Sequence, residues 1–190
     1  MPSHHVTPNP DAKRHDRTIA LVGLMGVGKS TVGRRLGNRL GLPFADGDDE
    51  IERAAGMTVS EIFAQLGEAG FREGEARVMK RLLEGPPTVL ATGGGAILNP
   101  ETRGLLKQHA ITVWLRADIR INASRVQRRD TRPLLRGKDP LEALNAMAEV
   151  RYPVYAQADV TVDTGAGAHG EAVDAIIMAL DAYRAGQGEA

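Results

Sequence analysis

Cysteine is absent from this 190-residue sequence, which excludes disulfide scaffolds, thiol nucleophiles and cysteine-based zinc sites. Aromatic residues are few: one Trp, three Tyr and three Phe. None interrupts the basic stretch at 125–138, so base stacking has no platform there. Neither charge is in excess, with 24 Lys and Arg against 24 Asp and Glu, and no global field draws the chain to nucleic acid or anionic lipid. Any anion site must be local. No run approaches the ~18 apolar residues of a membrane span, and residues 1–17 lack the apolar centre of a signal peptide. These absences together predict a cytoplasmic protein with neither a nucleic-acid nor a membrane partner. The five His residues, at 4, 5, 15, 109 and 169, are scattered without ligand spacing, so no histidine metal site is expected.

What is present suits a globular enzyme: 42% apolar and 25% charged residues, in a length that fits one domain. Residues 1–17 read as a flexible tail, 18–184 as a single domain and 185–190 as a second tail. Short apolar runs at 19–22, 43–45, 88–91, 111–115 and 160–162 alternate with segments of helical period. Val32, Leu36 and Leu40 share one face after the first run, and Val173, Ile176, Ile177 and Leu180 share another after the last. Connections too long for hairpins imply a five-stranded parallel sheet with helices on both faces, a three-layer α/β/α arrangement. Ligands then bind at the carboxyl ends of the strands. Trp114, inside the fourth run, is expected in the core.

Directly after the first run stands Gly23-Leu24-Met25-Gly26-Val27-Gly28-Lys29-Ser30, matching G-x-x-x-x-G-K-[ST] at every fixed position. Glycines let the main chain curl so that several N–H groups face a phosphate, and the following helix adds the positive end of its dipole. Gly23, Met25, Gly26, Val27, Gly28, Lys29, Ser30 and Thr31 are the expected ATP contacts. Lys29 would reach the terminal phosphates, and the Ser30 hydroxyl would ligate Mg²⁺. Neither the N-K-x-D and D-x-x-G strings of switch GTPases nor an L-S-G-G transporter signature occurs, which leaves a small kinase acting on a bound metabolite.

Three further clusters bear on the acceptor. Phe44-Ala45-Asp46-Gly47-Asp48-Asp49-Glu50 puts carboxylates at the carboxyl edge of the second strand. There they either meet Mg²⁺ and an acceptor hydroxyl or, in the case of Asp48 or Asp49, cap a helix starting near Ile51. Thr92-Gly93-Gly94-Gly95 ends the third strand and suggests main chain brought close to a ligand. No Asp follows that strand, so Asp46 is the nearest carboxylate for Mg²⁺. The stretch Arg132-Pro133-Leu134-Leu135-Arg136-Gly137 has the composition of a basic lid, spanning about 130–139. On composition alone, Arg72 and Arg151 read as exposed ion-pairing residues.

In this order the clusters resemble the shikimate kinase family, together with Glu61-Ile62-Phe63, Gly67-Glu68, Phe71-Arg72-x-x-Glu75, Arg132-Pro133-Leu134-Leu135 and Arg151-x-Pro153-x-Tyr155. The resemblance covers roughly residues 18–183. It implies a nucleoside monophosphate kinase-like fold and ATP- and Mg²⁺-dependent transfer to the 3-hydroxyl of shikimate, a step toward chorismate and the aromatic amino acids. It also implies roles. Asp48 binds the hydroxyls and orients or deprotonates the attacking one. Arg72 and Arg151 hold the carboxylate, with Gly93, Gly94 and Gly95 lining the pocket, and Glu75 positions Arg72. Arg132 meets the phosphates, Arg125 lies against adenine, and Asp46 reaches Mg²⁺ through water. A monomer acting on two small molecules is expected. A gluconate or related sugar-acid kinase, or a nucleotide-binding homologue without turnover, shares most of these features. Gly74, between Arg72 and Glu75, is expected to weaken its helix by ~1 kcal/mol.

Overall fold

The structure is a computed structural model and describes residues 16–127, 133–135, 137–165 and 169–187. Five strands, β1 (Thr18–Val22), β2 (Phe44–Asp46), β3 (Val89–Ala91), β4 (Ala110–Arg116) and β5 (Val160–Asp163), form one sheet in the order β2-β3-β1-β4-β5. Every pairing is parallel, in registers such as Ile19 beside Val89 and Leu21 beside Val113. All five expected strands are present, with ends shifted by one residue at most. The helices are α1 (Lys29–Leu40), α2 (Gly47–Ala55), α3 (Val59–Leu83), α4 (Pro100–His109), α5 (Ile119–Gln127), α6 (Pro140–Tyr155) and α7 (His169–Gly186).

The sheet is buried on both faces because successive side chains of a strand point to opposite sides. Ile19 and Leu21 of β1 pack with Val32 and Leu36 of α1 and with Ile176 and Leu180 of α7. Ala20 and Val22 face the other way, into a core shared with Met79 of α3, Leu106 of α4, and Trp114 and Tyr155. Trp114 is a core residue, as its strand position implied. Arg17, placed in the tail by its composition, donates to the Lys107 and Ala110 carbonyls at 3.0 and 2.6 Å and ties the start of β1 to β4.

One local expectation is corrected. The helix after β2 begins at Gly47, and its N-cap is Asp46, whose Oδ1 accepts from the Asp48 N–H at 3.0 Å. Neither Asp48 nor Asp49 is the cap, because the chain turns helical one residue after the strand ends. Gly74 keeps helical geometry within α3, and the helix is interrupted instead by a bend at Gly67, where φ is 69° and ψ is −176°. That positive φ is open to glycine at little steric cost. Among the described residues no helix is long and apolar enough to cross a membrane.

Candidate active site

The loop from β1 to α1 is shaped by its glycines. Gly23 and Gly26 take φ of 144° and 81°. A Cβ on Gly23 would lie 2.5 Å from the Leu115 carbonyl oxygen, and one on Gly26 would lie 2.7 Å from that of Asn122. A side chain at either position meets main chain that has no room to yield. Gly28 precedes α1 with no side-chain cap, so no capping side chain competes with a ligand for the first-turn N–H groups of α1. Lys29 folds back over it, its Nζ donating to the Gly23 and Leu24 carbonyls at 2.7 and 3.0 Å. Ser30 and Thr31 are exposed on the first turn of α1. Val27 is buried in the core, so only its main chain is available to a ligand. Arg125, on α5, points Nη1 at the Gly26 and Val27 carbonyls, each at 3.4 Å, which puts it beside the loop.

Next to this loop is a cavity of about 470 Å³, a size ordinary for a small metabolite. Asp48, Arg72, Glu75, Gly93, Gly94, Gly95 and Arg151 all line it. They arrive from four parts of the chain, α2, α3, the loop after β3 and α6, each placed for a local reason. The Asp46 cap starts α2 early enough to set Asp48 in its first turn. The bend at Gly67 redirects the second half of α3, which carries Phe71, Arg72 and Glu75. Phe63 and Phe71, on either side of the bend, pack with ring centroids 4.7 Å apart. Asp139 caps α6, accepting from the Glu142 N–H at 2.9 Å. Arg151 and Tyr155 follow on one face of that helix.

The three glycines form the floor. Thr92 is tied down by its N–H and hydroxyl, which donate to the Leu21 carbonyl at 3.1 and 3.0 Å. A Cβ on Gly93 would lie 2.4 Å from Glu75 Oε1 and 3.3 Å from Asp48 Oδ1, and one on Gly94 would lie 3.1 Å from Arg151 Nη1. A Cβ on Gly95 would come within 2.5 Å of Arg72 Nη1. The missing side chains are the space these four charged groups occupy.

Arg72 donates to Glu75 at 2.7 Å and to Glu68 at 3.2 Å, and its guanidinium lies over the Phe71 ring at 5.2 Å. Burial works against its charge, but Glu75 and Glu68 outweigh it and hold the guanidinium above its ordinary pKa. Glu75, with 4% of its side chain exposed, has its carboxyl pushed up by burial, with the pull of Arg72 and Arg151 opposing and Asp48 adding repulsion. Its Oε1 is buried with no hydrogen-bond partner among the described residues, so one acceptor faces the cavity unused. Arg151 is 6% exposed, which overturns its reading as a surface residue. A cation so placed suits a bound anion.

Met25 was expected at ATP, but its side chain lines the acceptor cavity and packs with Ala123, Val126 and Leu144, with Leu134 and Leu135 against them. Sequence reasoning missed the apolar walls Val59 and Phe63. The pattern Thr58-x-x-Glu61 could have revealed them, because it marks a capping box, seen here with both bonds formed, and so puts Val59 and Phe63 on one helix face. Arg132, the expected phosphate contact, lies outside the described residues, as does part of the 130–139 stretch. Within that stretch, Leu134 reaches the cavity.

A family model described as shikimate kinase matches residues 25–181. A shikimate kinase of Caulobacter vibrioides (strain NA1000 / CB15N) is 62% identical over 164 residues, covering 86% of this chain and 82% of the relative. Among solved structures, shikimate kinase from Acinetobacter baumannii in complex with shikimate superposes with a TM-score of 0.87 at 39% identity, covering 90% of this chain and 97% of that one. Shikimate kinase from Bacteroides thetaiotaomicron gives 0.80 at 30% identity, covering 87% and 98%.

Proposed function

The chain belongs to the shikimate kinase family, and on that premise we propose how its residues divide the work of transferring the terminal phosphoryl group of ATP to the 3-hydroxyl of shikimate. The observation that carries this reading is the convergence of Asp48, Arg72 and Arg151 on one cavity beside the phosphate loop. Shikimate has a carboxylate at one end and hydroxyls at the other, and the cavity offers guanidinium groups and a carboxylate to match. Arg72 and Arg151 hold the carboxylate, and Asp48 orients the attacking hydroxyl and takes up its proton. Phosphoryl transfer asks mainly for in-line positioning and neutralisation of charge on the moving oxygens. Lys29 and the main-chain N–H groups of the Gly23–Thr31 segment supply the second, and Arg132 adds to it from the 130–139 lid. Arg125 flanks the adenine.

Mg²⁺ would be held by the Ser30 hydroxyl and, through water, by Asp46. The donor set fits a cation that takes most of its ligands from phosphate and water. Ser30 is exposed on the first turn of α1, Asp46 has one oxygen committed to the Asp48 N–H and the other to offer, and no group of three or more acidic or His side chains among the described residues is arranged to hold a metal alone. When bound, the ion neutralises phosphate charge. In this reading the enzyme acts as a monomer, and dependence on ATP supports action in the cytoplasm.

The test is substitution of the two arginines. Arg72→Ala or Arg151→Ala should raise KM for shikimate about tenfold or more, since a charge-assisted contact contributes roughly 1.5–3 kcal/mol. An acceptor analogue lacking the carboxylate should be indifferent to both changes. Equal losses for shikimate and analogue would remove the carboxylate assignment.

Gly95→Ala gives a complementary measurement. Gly95 has φ of −101° and ψ of −10°, which alanine adopts without strain, so the whole effect comes from the Cβ meeting the Arg72 guanidinium. That guanidinium is the free end of a long side chain and moves away. The expected result is a KM for shikimate raised about tenfold with a melting temperature within about 4 °C of wild type. A large thermal loss would show that the main chain yielded instead.

A further inference from the structure

Tyr155 lies outside the cavity lining, yet it is tied to the floor. Its side chain is fully buried, with its ring set between Trp114 and Tyr152 at centroid distances of 5.9 and 6.3 Å. Its hydroxyl donates to the Gly94 carbonyl. The Arg151 guanidinium, one helical turn earlier on α6, brings its positive charge beside the same hydroxyl, and its Nη1 lies 3.1 Å from where a Cβ on Gly94 would sit. A single phenol therefore spends its proton on the floor and turns its oxygen to the neighbourhood of the cation.

Gly94 needs such a tie. It has no side chain to be packed, and it lies in a stretch of three residues without one, so contacts of its peptide groups must fix its orientation. The Tyr155 ring is wedged and cannot swing, which makes its hydroxyl a stationary reference point. Burial pushes that hydroxyl up to about 12, so it keeps its proton wherever the enzyme works.

We propose that Tyr155 is a positioning residue for the acceptor: its hydroxyl holds the Gly94 carbonyl and the Arg151 guanidinium in one arrangement, and so sets the end of the cavity that receives the carboxylate. The proposal rests on the reading of Arg151 given above.

Tyr155→Phe keeps the ring and removes only the hydroxyl. It should raise KM for shikimate about tenfold, leave kcat at saturating shikimate and KM for ATP within about twofold, and leave the analogue without a carboxylate unaffected. In a double-mutant cycle with Arg151→Lys, the combined loss should match the larger single loss, because both changes break one unit. Amide exchange of Gly95 and Ala96 should quicken while β3 stays protected.

Three outcomes overturn the proposal: shikimate KM unchanged by Tyr155→Phe, additive losses in the cycle, or equal losses for shikimate and analogue. An unchanged KM in Tyr155→Phe alongside a raised KM in Arg151→Ala sinks only the role of Tyr155. An unchanged KM in Arg151→Ala sinks the carboxylate assignment itself. Should Tyr155→Phe fold poorly, the same split read from calorimetric titration of shikimate into Arg151→Lys and wild type, at matched folded concentration, decides whether Arg151 is the group being positioned.

Discussion

Lys29→Ala should lower phosphoryl transfer by about a thousandfold or more while the protein still folds and melts cooperatively. The Nζ lies over the loop on the Gly23 and Leu24 carbonyls, so its charge is already beside the loop before any nucleotide arrives. The substitution removes that cation from the loop. Alanine is a good helix former at the first residue of α1, and the glycines that shape the loop are untouched. A coupled assay of ADP release, with thermal melting on the same samples, reads both effects. Activity within tenfold of wild type would remove Lys29 from the mechanism.

Asp48→Asn is expected to reduce kcat by about a hundredfold or more with little change in KM for ATP. The amide keeps the shape of the carboxylate but takes up no proton and opposes no cation. The structure sharpens this experiment, because the cap of α2 is Asp46. A change at Asp48 leaves that cap intact, so the melting temperature should stay within about 4 °C of wild type. The reverse pattern, turnover preserved and stability lost, would make Asp48 a structural residue. Solvent deuterium effects on kcat should shrink with the variant if the carboxylate handles the proton.

The sheet was legible in the sequence because a parallel strand covered on both faces is a short unbroken apolar run, and β1 through Thr18–Val22 is the clearest. The phosphate loop was legible because its geometry demands particular residues at fixed spacing. The acceptor cavity was legible in part, through the carboxylates after β2 and the glycines after β3, but its two arginines were legible only through resemblance. Arg72 and Arg151 look like any surface arginine until α3 and α6 are set against the glycine floor, and burial of that kind leaves no periodic trace. The cap at Asp46 was missed because Asp46, Asp48 and Asp49, three aspartates within four residues, are equally good caps, and only the strand's true end chooses between them. The bend at Gly67 was obscured by Gly74, which has the same composition signal but keeps helical geometry. Tyr155 carries no polar signature at all, since its hydroxyl matters only for what it reaches.

The glycine floor also bears on how readily this pocket could change its acceptor. A surface made of peptide groups is the same whatever the codon supplies, and here every alternative codon adds a carbon where Glu75, Arg151 or Arg72 already stands. Natural drift or a designed library that altered residues 93–95 would therefore lose the charged groups before it gained a new specificity. The adjustable surface is the apolar one, where Met25, Val59, Phe63 and Leu134 present side chains to the cavity. A search for variants that accept a different cyclic polyhydroxy acid should be spent on those four positions, with the three glycines left as a fixed template.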